Sequence, residues 1–161
     1  MDSLLILGLV AGLPLALAIL FRVSAVFFFL SIVVGNLLAK HFGYDFSVVI
    51  GSFMHNNQLD VISGLGLQLL PVGLTVFLTR KSLTTSQIML HLVPLTLASS
   101  ALAILALPLL PKGVEGTFYT TSIGAQIRPV EDLVIGLASV SVLFLVWFMP
   151  HSGSRHGKKD H

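Results

Sequence analysis

Five stretches of this chain, Ser3 to Phe21, Val23 to Ala39, Val61 to Thr79, Ile88 to Leu110 and Leu133 to Met149, contain no Asp, Glu, Lys or Arg. Each is close to the ~20 residues that a helix needs to cross a ~30 Å hydrocarbon layer. Lipid offers the backbone no water to bond, so such a stretch must satisfy its own amides and carbonyls, and a helix does this within one segment. Composition agrees: 55% of the 161 residues are hydrophobic and 10% are charged, against about 25% charged in soluble domains. The fold class read from these features is all-α: a polytopic transmembrane helical bundle of about five spans, with four as the lower count. It occupies residues 1–150 and is followed by a basic, histidine-containing tail, 151–161, without apolar anchors and expected to be disordered.

The first two runs are separated only by Arg22. Read as one helix they would reach roughly 55 Å, well past the hydrocarbon core, so a break is required and a tight hairpin around Leu20 to Val23 is predicted. Pro14 should kink the first helix by removing one backbone hydrogen bond. From Lys40 to Asp60 the chain is mixed and reads as a loop, with Phe46 to Met54 as an interfacial or re-entrant segment and His55-Asn56-Asn57-Gln58 as its polar cluster. Arg80 and Lys81 suit the end of the third span, and Thr84 with Gln87 has capping-box spacing before the fourth. Pro111 to Asp132 is a second polar loop, and its Pro129-Val130-Glu131-Asp132 signals the start of the last helix. Trp147 is placed as an interfacial anchor.

If five spans alternate sides, six basic residues (Arg22, Arg80, Lys81, Arg155, Lys158, Lys159) share one side and three (Lys40, Lys112, Arg128) the other. The richer side is expected to be cytoplasmic, which puts the N-terminus outside and the C-terminus in the cytoplasm. Met1-Asp2 lacks the basic start of a signal peptide, so Ser3 to Phe21 is kept as a membrane helix. The spans share only generic hydrophobicity, without an internal repeat that would suggest an inverted-repeat transporter.

Polar residues inside spans are the first functional pointers, because each must find a partner or water. Asn36, Gln68 and His91 are the candidates. Asn36 is expected near the interfacial end of the second helix, Gln68 to bond the carbonyl freed by Pro71, and His91 to bond near a helix end. Small residues point to assembly: Gly8 and Gly12 form a GxxxG and Gly35 with Ala39 a small-xxx-small pattern, the spacing at which helix backbones approach closely. Packing within the bundle is the expected use, contacts between subunits the alternative.

Nine Lys and Arg against seven Asp and Glu are too balanced and dispersed for a nucleic-acid surface. Without cysteine, thiolate metal sites and cysteine nucleophiles are excluded. His151, His156 and His161 are spaced by five in a tail without cysteine, so no metal site and no cofactor is assigned. No GxSxG, HExxH, P-loop or Rossmann pattern occurs and no carboxylate lies in a span, so the chain is not expected to be an enzyme. Catalysis by loop residues such as Tyr119 or Glu115 would be the exception.

Arg22 at the turn, Phe27-Phe28-Phe29, Gly35 and Ala39 give the first quarter of the chain a layout that resembles the colicin V production protein family of small bacterial membrane proteins. Phe21-Arg22-Val23 stands where that family has a glycine-rich basic turn, and the fifth span is additional. The resemblance implies a bacterial inner (cytoplasmic) membrane protein and transfers no functional residue. The expected role is a non-enzymatic assembly, scaffolding or accessory subunit. Its partners would be the lipid bilayer and other membrane subunits or a second copy of itself. The alternative is a small channel or carrier for an ion or small solute, lined by Asn36, Gln68 and His91.

Overall fold

A computed structural model describes residues 3–52, 59–80, 83, 85–110, 116 and 118–148. The His55 to Gln58 cluster, Lys81, the Pro111 to Glu115 part of the second loop and the tail lie outside these residues. Every regular element among them is helical: α1 (Ser3–Leu20), α2 (Ala25–Gly51), α3 (Leu59–Leu78), α4 (Thr85–Ala106), a 3-10 turn (Leu107–Leu109), α5 (Ser122–Ile127), a 3-10 turn (Arg128–Val130) and α6 (Glu131–Phe148). Four segments, Ala25–Gly51, Leu59–Leu78, Gln87–Leu109 and Gly124–Trp147, are long and apolar enough to cross a membrane, and Gly8–Leu20 of α1 is a shorter apolar helix. The protein is an all-α bundle of four to five spans.

The break at Arg22 is a Schellman turn. Arg22 takes the left-handed conformation, φ 55°, which usually falls to glycine because a Cβ is crowded there. The Arg22 amide donates to Ile19 O at 3.1 Å and the Val23 amide to Ala18 O at 2.9 Å. These bonds satisfy carbonyls that the end of α1 would otherwise leave open. Ala18 and Val23 are both fully buried and supply the apolar contact that accompanies this motif. The Arg22 carbonyl in turn accepts from the Leu83 amide at 3.1 Å. The α1/α2 turn and the segment after α3 therefore share one end of the bundle.

α2 does not stop at Ala39. It continues through Lys40 to Gly51 where a loop with a re-entrant segment was expected. At 1.5 Å per residue its 27 residues reach about 40 Å, longer than the ~30 Å hydrocarbon layer. Its last turns carry exposed Lys40, His41, Tyr44 and Asp45. No proline interrupts this segment, and α3 packs antiparallel along it. Ser63 Oγ of α3 donates to Gly43 O at 3.2 Å, and Gly51 lies against Leu59.

α2 and α3 make the longest contact. α4 packs against α1, α2 and α6, and α6 also meets α2. Ala18, Val23, Ala25, Phe28, Ile32, Val72, Leu95, Ala98, Leu102 and Leu145 form the central core. A smaller cluster of Leu107, Leu110 and Phe118 closes the opposite end. There Thr121 Oγ1 accepts from the Gly124 amide at 3.1 Å to cap α5, and the Tyr119 hydroxyl donates to Glu131 Oε1 at 2.6 Å.

Buried and exposed chemistry are inverted relative to a water-soluble protein. Leu30, Leu74, Val93 and Val140, on four different helices, are 52–65% exposed, while Gln68, His91 and Ser63 are fully buried. An outer surface of this kind is stable only where the surrounding medium is itself apolar.

Candidate functional site

The bundle brings two of the three candidate polar residues to one level and leaves the third elsewhere. Gly35 of α2 meets the backbone of Gln68 so closely that a Cβ on Gly35 would stand 3.0 Å from the Gln68 carbonyl carbon, 3.1 Å from its Cα and nearer still to its oxygen. Asn36 is the next residue along α2. Because α2 runs on to Gly51, Asn36 lies within the helix and not at its interfacial end; its Oδ1 is buried without a hydrogen-bond partner among the described residues.

Gln68 is fully buried, and both of its amide atoms lack a partner among the described residues. The expected bond to the carbonyl freed by Pro71 is therefore not made. An orphaned amide in low dielectric costs more than a mispaired one on the surface.

His91 serves a different helix. Its Nδ1 accepts from the Ala25 amide at 3.2 Å, at the start of α2, where Ser24 makes no side-chain capping bond. An imidazole side chain from α4 thus satisfies one of the open amides that begin α2. His91 Nε2, the other ring nitrogen, has no partner among the described residues. Ala25 and Gly35 are separated by ten residues of one helix, or about 15 Å, so His91 and Gln68 sit about that far apart along the bundle. They form no three-residue cluster with Asn36.

The small residues also divide. Gly35 is used as a close approach and Ala39 is buried at 5% exposure. Gly8 and Gly12 are not used in that way: nothing among the described residues lies within 4 Å of where a Cβ would stand. The packing within the bundle expected of this GxxxG is absent there, because α1 lays Val10, Pro14 and Ala18 inward and turns the glycines out. Gly8 borders a cleft of about 630 Å³ between α1, α4 and the α6 end, with Ala11, Ser99, Ala103, Leu107 and Val134. Ser99 Oγ donates to Ala11 O at 2.8 Å at this cleft.

A second cleft, of about 300 Å³, lies between α1 and α3, with Arg80 at one end. The Arg80 guanidinium stacks 3.8 Å from the centre of the Phe77 ring and 5.3 Å from that of Phe21. Beyond the interfacial role expected of Arg80, its three-residue spacing from Phe77 is the separation at which helix neighbours meet. Gln68 and His91 line neither cleft. Comparison with family models, with curated proteins and with solved structures yields no match to this chain.

Proposed function

We propose that this protein is a non-enzymatic assembly or accessory subunit of a membrane complex, which it joins through the outward face of α1. The observation that carries this proposal is the pair Gly8 and Gly12. They have the spacing that lets helices touch, yet no neighbour of their own chain lies within 4 Å of their Cβ positions among the described residues, and the cleft beside Gly8 is open to the side. In lipid, helix association draws on close van der Waals contact, and an unfilled small-residue face is where such contact is still to be gained. The layout of the first quarter and the distribution of basic residues support a bacterial cytoplasmic membrane, with the N-terminus outside and the C-terminus in the cytoplasm.

The chain has no cysteine, so single-cysteine crosslinking in native membranes tests the proposal. Gly12→Cys should give a discrete crosslinked species, and Leu74→Cys, on the exposed surface of α3, should not. A strictly monomeric product from both, with a monomer by native mass spectrometry in lipid, would reject the subunit role.

A small channel or carrier is the second reading, favoured by the unpartnered Gln68 amide at the middle of α3. Transport would need a wetted route past Gln68. A liposome flux abolished by Gln68→Leu in a variant that remains folded would favour it over the subunit role.

A further inference from the structure

We propose that the groove between α1 and α3 is a binding site for one anionic glycerophospholipid, with an acyl chain lying between the helices and the phosphate held by Arg80. This is independent of the subunit role and uses a different face of α1.

Three observations converge. The first is length. On α3 the groove runs from Leu69 to Arg80, and on α1 from Leu13 to Phe21, which at 1.5 Å per residue is about 12 to 17 Å. Half of a ~30 Å hydrocarbon core is the depth of one leaflet, so the groove spans the reach of one acyl chain. Its walls are Leu13, Leu17, Leu69, Val72 and Val76. Nothing lies within 4 Å of where a Cβ on Gly73 would stand, which leaves the groove open along its middle.

The second is girth. The groove holds about 300 Å³, less than half of the cleft of about 630 Å³ beside Gly8. A slender chain fits between its walls.

The third is charge. Arg80 stands at the end shared with Arg22, and the described carboxylates, Asp45, Asp60, Glu131 and Asp132, belong to the far halves of α2, α3 and α6. Among the described residues Arg80 has ring contacts only. Arg80 is exposed and its guanidinium makes no hydrogen bond or ion pair among the described residues, so its N–H groups are available as the fork which matches a phosphate.

The test is native mass spectrometry of the full chain, with dioleoyl phosphatidylglycerol and dioleoyl phosphatidylcholine as probes. The wild type should retain one phosphatidylglycerol at least about fivefold better than phosphatidylcholine, the preference worth one arginine at an anionic headgroup. Arg80→Gln should remove the preference, and Gly73→Leu, which fills open space, should lower retention of both lipids while circular dichroism shows the helices intact. Equal retention of the two lipids by the wild type would overturn the proposal. So would full retention by folded Gly73→Leu, which would place the lipid at the headgroup belt and not in the groove. A polypeptide recovered in place of the lipid would overturn it as well.

Discussion

Replacing Gly35 by alanine should force α2 and α3 apart. The new methyl would meet the Gln68 carbonyl carbon at 3.0 Å and its Cα at 3.1 Å, where carbon atoms prefer about 3.5 to 4.0 Å. These are backbone atoms in the middle of α3 and cannot rotate away, so the helices must separate by at least roughly half an ångström. A radial gap of that size forfeits about a quarter or more of each contact it opens. Overpacking of this kind costs about 1 to 3 kcal/mol, or roughly a 5- to 150-fold shift in the unfolding equilibrium. Gly66→Ala and Gly73→Ala are the controls, because their Cβ positions have nothing within 4 Å; the helix preference of alanine should make them neutral or up to ~1 kcal/mol more stable. Reversible denaturant unfolding in micelles, followed by far-ultraviolet circular dichroism, measures all three. If Gly35→Ala unfolds with the controls, the close approach at Gln68 is not a real constraint on the bundle.

His91→Ala should leave the Ala25 amide without its 3.2 Å acceptor and lower stability by about 1 to 3 kcal/mol, with faster hydrogen exchange at Ala25 as its local signature. Arg22→Gly and Arg22→Val both remove the arginine side chain, yet the glycine variant should be the more stable by about 1 to 2 kcal/mol, because only glycine accepts φ 55° without strain; thermal unfolding in detergent checks the order. Gln68→Leu should raise stability by about 1 kcal/mol or more, since it removes two unpartnered buried polar atoms, and a loss of stability in the same unfolding assay would show that the amide has a partner.

The apolar spans and the break at Arg22 were legible because hydrocarbon leaves so few alternatives: a charge-free run of span length must be helical, and two runs too long for one crossing must turn. The short α5, Ser122–Ile127, lies in a stretch that reads as a polar loop. The extension of α2 was not legible. Once a helix leaves lipid its residues need not be apolar, and Lys40, His41 and Asp45 read equally well as loop or as helix surface. The bond from Ser63 to Gly43, which ties the extension to α3, joins residues whose pairing depends on the register of the hairpin. Gly8 with Gly12 and Gly35 with Ala39 carry nearly the same local signal, and only the position of Gln68 across the interface separates the used pair from the open one. His91 offered no sign of the amide it would serve, because Ala25 is 66 residues away in sequence. Arginine in a left-handed turn also gives no warning, since glycine is the residue that normally marks such a position.

The premise beneath all of this is that lipid surrounds the exposed apolar faces. Nitroxides placed one at a time at Leu30, Leu74, Val93 and Val140, sites on α2, α3, α4 and α6 that are 57%, 52%, 65% and 63% exposed, test it by collision in liposomes. Each should be strongly relaxed by oxygen, which concentrates in hydrocarbon, and shielded from a water-soluble nickel chelate. Ready relaxation by nickel at these positions would place the faces in water and contradict a membrane-spanning bundle.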